Sequence, residues 1–164
     1  MNKMREIKIE KVVLSVGGTG ENLEKGVKLL NIITGRKPSK RRSHKRIPAF
    51  GVRPKLEVGA MVTLRENFED LVRRMLATKD NTLKRSQIKE NSFSFGVKEY
   101  IEIPGIEYQR EIGIMGFDVS VAFQRAGRRV KLRKIKEGKV PRRNDVTKEE
   151  IIKFMEDKFK TNFV

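Results

Sequence analysis

Few residues in this chain belong to the types that perform acid-base, nucleophilic or metal chemistry. The sequence has no Cys and a single His, His44, which lies inside a run of Lys and Arg where contact with a polyanion is favoured over catalysis. The carboxylates Glu99, Glu102 and Glu107 do not have the spacing of a metal-ligand set. The sequence therefore predicts no catalytic residues, no metal site and no cofactor.

The turn GGTG at 17–20 is a second candidate, because Gly lets a backbone approach a phosphate at a helix N-terminus. Its surroundings do not fit a nucleotide site. Leu23 stands where the third Gly of the dinucleotide pattern would fall, and Lys25-Gly26 reverses the Gly-Lys order of a P-loop. A tight turn is the favoured interpretation, with a backbone contact to an RNA phosphate as the alternative.

Lys and Arg are the residues most able to bind a partner, and they are concentrated in two segments. The chain has 38 Lys and Arg against 21 Asp and Glu, a formal net charge of +17. Nine of the basic residues and no acid lie in 36–55, which we call the basic arm, and ten with one acid, Glu137, lie between Arg125 and Arg143. We call 125–146 the basic loop. The rest of the chain is close to neutral.

Two basic segments almost free of acid indicate a polyanionic partner. Like charges held together repel one another in the folded state, and a polyanion removes that repulsion. Nucleic acid is the predicted partner, and an acidic protein or a membrane surface is the alternative. With no Trp and only Tyr100 and Tyr108, the sequence favours recognition of a structured RNA by charge and shape over base stacking.

Length and hydropathy limit the classes of protein to which the chain could belong. A chain of 164 residues fits one compact domain, 1–164, with its own core. No stretch approaches the roughly 20 apolar residues that span a bilayer, so membrane insertion is not expected. The start MNKMREIKIE has no apolar run of the kind found in secretory signals, and the absence of Cys agrees with a cytoplasmic protein.

The apolar residues predict alternating strands and helices. The β-branched run 6–16 predicts a strand, and a helix with Leu23, Val27, Leu30 and Ile33 on one side follows and ends near Gly35. Residues 36–48 predict an exposed arm or edge strand. Residues 57–65 alternate as a half-buried strand, and a helix is predicted from Glu66 to about Thr78.

The second half of the chain continues this pattern. Residues 92–97 and 114–125 predict strands, and the polar side of the second, with Asp118, Ser120 and Gln124, faces either water or a nucleic-acid backbone. Thr147 and Glu150 form a capping-box pattern at the start of a C-terminal helix, 147–159. The predicted fold is α+β, an antiparallel sheet with helices packed on one face and basic extended loops.

Several segments together resemble one protein family. They are MREIKIEKVVLSVGGTGENLEKGVKLLNIITGRKP, PAFGVR with VGAMVTLR, FSFGVKEYIEIPGIEY and EIGIMGFDVSVAFQRAG. In order and spacing they are similar to the large-subunit ribosomal protein numbered five in bacteria and eleven in eukaryotes. The short chain is most like the archaeal members.

The resemblance implies a structural, translation-related role without enzymatic activity. Its expected partners are 5S ribosomal RNA, large-subunit ribosomal RNA, the peptidyl-site (P-site) transfer RNA, other ribosomal proteins of the central protuberance and a protein of the small-subunit head. Such a protein is expected in the large subunit of the cytoplasmic ribosome. An RNA chaperone or regulator that acts off the ribosome is the alternative.

The resemblance and the charge pattern together define the expected contact residues. Those for 5S RNA are Ser15, Arg36, Lys37, Lys40, Arg41, Arg42, His44, Lys45, Arg46, Thr63 and Arg65, and the loop facing transfer RNA is Gly51, Val52, Arg53, Pro54 and Lys55. The family usually has Asn at position 15 and Gln at position 36, so Arg36 is expected to replace an amide contact by a phosphate contact. Other ribosomal or transfer RNA is expected on Arg125, Arg128, Arg129, Lys131, Arg133 and Lys134. Residues 126–146 are predicted to lack fixed structure without RNA, because they have little core to join.

Overall fold

The computed structural model describes residues 3–164, and of Lys3 only the backbone. Within these residues, four α-helices and eight strands follow one another. They are β1 (Ile7–Gly17), α1 (Glu21–Thr34), β2 (Ser39–Arg42), β3 (Glu57–Leu64), α2 (Glu69–Ala77), β4 (Thr82–Leu83), β5 (Ile88–Lys89), β6 (Ser92–Val97), β7 (Phe117–Arg125), α3 (Arg129–Leu132), α4 (Lys148–Phe159) and β8 (Asn162–Phe163).

Six of the strands form one antiparallel sheet in the order β2-β3-β1-β7-β6-β5, and β4 and β8 form a separate parallel pair. Alternate residues of the long strands are buried, as period-two burial requires. In β7 these are Phe117, Val119, Val121 and Phe123, whereas Asp118 between the first two is exposed. The predicted α+β class with an antiparallel sheet is confirmed. The chain divides into two compact units, and each is described by itself.

The unit that contains the basic arm comprises Val13–Leu64 and Gly96–Val119, and we call it the arm unit. Helix α1 packs closely on β1, since a Cβ built on Gly26 would lie 2.7 Å from Cγ1 of Val16. Leu29 and Leu30 of the helix are fully buried with Leu14 of the strand. Burying these apolar side chains is worth roughly 1.5–3 kcal/mol each, so α1 is fixed on its face of the sheet by packing.

The other unit comprises 3–12, Arg65–Phe95 and Ser120–Val164, and we call it the loop unit because it contains the basic loop. Its core holds a cluster of aromatic rings. Phe93 stacks on Phe95 at 6.0 Å between centroids, and Phe123 of β7 meets Phe154 of α4 edge to face at 5.6 Å. The predicted capping box at Thr147 and Glu150 is present and begins α4. These contacts hold the C-terminal helix against the strands of this unit.

Three details differ from the sequence-based prediction. Helix α2 begins at Glu69 rather than Glu66, because Asn67 takes a left-handed conformation, with φ of 52°, that a helix does not continue through. Strand β7 begins at Phe117 rather than at 114, because the carbonyl of Met115 accepts a bond from the Tyr100 amide instead. The basic loop joins the core at its end, where Val146 is completely buried, and the absence of fixed structure in 126–146 without RNA stays a prediction.

Gly116 lies where the backbone has no room for a side chain. A Cβ at this position would meet the carbonyl oxygens of Lys98 and Val97 at 2.6 and 2.7 Å, and both are fixed backbone atoms. The small residue at the entry to β7 is thus required by close packing of two chain segments.

We expect Gly116→Ala to lower the free energy of unfolding by about 2 kcal/mol or more, because the new methyl group displaces backbone. Urea denaturation followed by circular dichroism measures this. Gly17→Ala is the matched control, since nothing lies within 4 Å of its Cβ position. Equal stability of the two variants would contradict the packing argument.

Candidate nucleic-acid interface

The basic arm is an edge strand that continues into a hairpin. Strand β2 pairs with β3 so that Lys40 lies opposite Ala60 and Arg41 opposite Gly59. The two-stranded ladder continues beyond β2, because the Ser43 amide donates to the Leu56 carbonyl at 2.8 Å. It ends in a bridge between Ile47 and Val52. The predicted edge strand is confirmed, and all four of its side chains are exposed.

Most cations of the basic arm have no acidic partner within residues 3–164. Two of the nine are paired, and the other seven are exposed and make no ion pair. The seven are Arg36, Lys37, Arg41, Lys45, Arg46, Arg53 and Lys55. Their charges are therefore available to a polyanion and repel one another in its absence.

Glu57 pairs with the remaining two cations. Nζ of Lys40 lies 3.2 Å from Oε2 of this carboxylate, and Nη2 of Arg42 lies 3.4 Å from Oε1. The Lys40 hydrogen bond is the main cause that holds the pKa of Glu57 below its usual value, and Arg42 adds to the effect. The carboxylate is therefore ionised at neutral pH and neutralises part of the basic arm.

The loop expected to face transfer RNA lies at the end of the hairpin. Gly51 has a φ of 63° and closes a short turn over Pro48–Phe50. Val52 is only 8% exposed and points into the protein, whereas Arg53, Pro54 and Lys55 are exposed. The most exposed apolar side chain here is Phe50, at 79%, which directly precedes the expected loop.

Two of the expected contact residues lie on the face of the sheet opposite the core. Ser15 is half-buried between the buried Leu14 and Val16 of β1, and Thr63 is half-buried between Val62 and Leu64 of β3. Successive residues of a strand point to opposite faces, so Ser15 and Thr63 share the open face of their unit. We use "open face" for this side of β1 and β3. Arg36, Lys37, His44 and Arg65 are also exposed.

The GGTG turn leads directly into α1, and its four residues include no cation that would bind a phosphate. The Leu23 amide donates to the Gly20 carbonyl at 3.1 Å, which begins the first helical turn. Glu21 and Glu24 lie in that turn, where their negative charge occupies the favourable end of the helix dipole. This arrangement supports the tight-turn interpretation over a phosphate cradle.

The basic loop presents a second set of exposed cations. Helix α3 is only four residues long, and Leu132 and Ile135 are exposed beside it. Eight of the ten cations are exposed and make no ion pair within the described residues. They are Arg129, Lys131, Arg133, Lys134, Lys136, Lys139, Arg142 and Arg143.

Arg125 and Arg128 differ from the other cations of the basic loop because they bind protein groups. Arg125, only 10% exposed at its side chain, donates to the carboxylate of Glu150 and to the Arg143 carbonyl. Arg128 pairs with Glu10 at 3.4 Å. Both residues are among those predicted from the sequence to contact RNA, and that stays a prediction. Register accounts for the position of Arg125, which continues the series of buried positions 117, 119, 121 and 123 in β7.

The described residues contain no group of three or more His, Cys, Asp or Glu that would hold a metal ion. Among helices in the described part of the chain, none combines the length and apolar character that crossing a membrane requires. The geometry of the described residues offers two cationic surfaces, one in each compact unit. These surfaces suit binding of a large anion rather than a reaction.

Comparison with known proteins identifies the family. A family model described as ribosomal protein L5 matches residues 2–53, and a second model, which describes the C-terminus of the same ribosomal family, matches residues 57–154. The chain belongs to the ribosomal protein L5 family. The predicted family is thereby confirmed, and the ribosomal protein L5 family is one of structural proteins and not of enzymes.

Several relatives that match nearly the whole chain come from archaea. The chain is 41% identical to the large ribosomal subunit protein uL5 of Nanoarchaeum equitans, over 94% of each chain. It is 43% identical to uL5 of Pyrobaculum aerophilum, over 93% of this chain and 88% of the relative. With uL5 of Methanosphaera stadtmanae the identity is 39% over 97% of each chain. The archaeal affinity predicted from the sequence is confirmed.

The bond between Arg125 and Glu150 predicts a pH dependence of stability in this member of the ribosomal protein L5 family. Burial by itself raises the pKa of Glu150, but the Thr147 amide and Arg125 outweigh it, so the pKa lies below its ordinary value of 4.5. A carboxyl whose pKa is lowered by folding stabilises the fold above its unfolded pKa and loses that contribution as pH falls through the folded pKa.

We therefore expect Glu150→Gln to reduce the drop in the free energy of unfolding between about pH 6 and pH 3. Urea denaturation at the two pH values measures the drop. Glu149→Gln is the control, because this neighbouring exposed carboxylate makes no ion pair. An unchanged drop in Glu150→Gln would show that the Arg125 pair does not contribute to acid sensitivity.

Proposed function

We propose that this protein binds 5S ribosomal RNA through the basic arm and the open face, and attaches it to the large ribosomal subunit at the central protuberance. The observation that carries the proposal is the set of seven exposed arm cations without an acidic partner in the described structure. Membership of the ribosomal protein L5 family supports a ribosomal RNA as the polyanion. The protein then acts within the cytoplasmic ribosome.

The basic arm and the open face have complementary parts in this proposal. Cations of the arm neutralise phosphates, which supplies affinity but reads no sequence. Ser15 and Thr63 present hydroxyl groups on the open face, where they donate to phosphate oxygens and donate to or accept from ribose hydroxyl groups in a fixed geometry. Selectivity for one folded RNA comes from both parts being satisfied in a single orientation.

The remaining contacts are assigned to separate surfaces. The exposed cations of α3 and the residues after it bind large-subunit RNA, whereas Arg125 and Arg128 serve the protein fold. The loop Gly51–Lys55, with Arg53 and Lys55 outward, faces the P-site transfer RNA. Other proteins of the central protuberance and a protein of the small-subunit head complete the set of partners that we propose.

The proposal predicts that removal of two unpaired arm cations weakens binding to 5S RNA. We expect Arg41→Ala/Arg46→Ala to lower the affinity at least about tenfold at low salt, because two phosphate contacts are lost. The slope of log affinity against log salt then becomes shallower by about 1.4–1.8. Filter binding or fluorescence anisotropy over a salt series measures both quantities.

The matched control is Arg73→Ala/Arg74→Ala, which removes two exposed, unpaired cations from α2. It changes the net charge by the same amount without touching the basic arm. If both double variants bound 5S RNA alike, the affinity would depend on net charge alone and the proposed arm contact would be wrong.

A further inference from the structure

Glu57 holds an unusual position among the acidic residues of the described chain. Within residues 3–164 it is the only acidic residue within 4.0 Å of a cation of the basic arm, and it contacts two of them. Each carboxylate oxygen faces a different cation, Oε2 the ammonium of Lys40 and Oε1 the guanidinium of Arg42. This is the arrangement in which two non-bridging oxygens of a phosphate would meet the same two side chains.

An irregularity of the strand pairing brings the three residues together. Arg41 pairs with Gly59, but Arg42 pairs with Glu57, so Val58 is passed over and the register shifts by one residue between Arg41 and Arg42. Such a bulge changes the direction of the side chains that follow it. Arg42 is thereby placed directly opposite Glu57, while Lys40 reaches the same carboxylate from its position opposite Ala60.

The two ion pairs of Glu57 lie beside an open cleft of the arm unit. The cleft has a volume of about 680 Å³ and is lined by Lys40, Arg42, Arg53 and Lys55 together with Glu57. Glu21 and Glu24 also line it, but neither is paired with a cation of the arm. A phosphodiester backbone entering this cleft meets four cations, and two of them already hold a carboxylate.

We propose that Glu57 is a built-in competitor for RNA phosphate, and that its carboxylate occupies Lys40 and Arg42 until a phosphate displaces it. This inference rests on the proposed function, because it assumes that the basic arm binds RNA. All three side chains are at least partly exposed, so the ion pairs are weak and exchange readily with an incoming anion. Glu57 thus lowers the affinity of the arm for every polyanion without preventing binding.

The substitution Glu57→Gln tests the proposal, because it keeps the shape of the side chain and removes its charge. We expect the affinity for an unrelated folded RNA to rise about fivefold near 0.1 M salt, since two cations become available to phosphate. The salt slope is expected to change by less than about 0.7, the value for one phosphate contact, because phosphate displaces the carboxylate in the unsubstituted chain and both chains then neutralise the same number of phosphates.

Glu111→Gln is the matched control. Glu111 also pairs with one cation, Lys28, at 2.6 Å in the same unit, and its removal changes the net charge equally. We expect it to leave affinity within about twofold of the unsubstituted chain, because Glu111 forms no ion pair with a cation of the basic arm and its exposed charge is screened. Equal affinities of Glu57→Gln and Glu111→Gln would overturn the proposal, and so would weaker binding by Glu57→Gln.

A second comparison does not depend on net charge. Lys40→Ala is introduced both into the unsubstituted chain and into Glu57→Gln. We expect it to lower RNA affinity less in the unsubstituted chain, because there Glu57 already occupies Lys40. Equal costs in the two backgrounds would also contradict the proposal. Circular dichroism melting of each variant establishes that the fold is retained before the affinities are compared.

The same variants separate this inference from the proposed function. If Glu57→Gln raises the affinity for unrelated RNA and leaves the affinity for 5S RNA unchanged, Glu57 is a competitor for phosphate but the basic arm is not part of the 5S RNA contact. If Arg41→Ala/Arg46→Ala weakens 5S binding while Glu57→Gln behaves as Glu111→Gln does, the proposed function stands and the inference fails.

Discussion

Repulsion between like charges limits where the cations of this chain are able to lie. A segment with nine basic residues and no acid is excluded from a core, because burial of an unpaired charge costs far more than any single contact returns. It also does not suit the middle of a sheet, where both neighbouring strands would bring further side chains close. The basic arm therefore lies at the edge, with β3 on one side and solvent on the other.

The rest of the architecture follows from this placement. The buried apolar residues of β1, β3, β6 and β7 alternate with residues that are exposed or half-buried, so each of these strands has one core face and one open face. Three acidic residues in the described part of the chain pair with cations of the two basic segments. Glu57 does so at the edge strand, Glu150 at the end of β7 and Glu10 at Arg128, and the pKa values of Glu57 and Glu150 are lowered. A few ion pairs thus connect the two basic segments to the rest of the chain, which is close to neutral.

Much of this arrangement could be predicted from the sequence, because it depends on periodic burial. Alternating burial specifies a strand at 57–65 and at 92–97, and the capping box at Thr147 specifies the start of a helix. Side-chain partners across strands could not be predicted in the same way. The pairing of Glu57 with Lys40 and Arg42 depends on a one-residue register shift, which no local pattern specifies.

The roles of individual cations were harder to predict than the presence of a basic surface. Composition treats Arg125 and Arg129 alike, yet one is bound to Glu150 and the other is exposed to solvent. The difference arises from strand register at Arg125, which carries the side chain into the core face of β7. The exposure of Phe50 at the hairpin tip could not be predicted from the sequence either, since most Phe residues of this chain are buried or half-buried.

Under the proposed function the chain recognises one ribosomal RNA rather than polyanions in general. A salt titration of the purified protein with 5S ribosomal RNA, beside an unrelated folded RNA of similar size, tests it most directly. Electrostatic binding falls steeply with salt for every RNA, so the two affinities must be compared near physiological ionic strength. We expect 5S RNA to keep a preference of about a hundredfold or more, equivalent to roughly 2.7 kcal/mol. Equal affinities that fall together with salt would contradict the account.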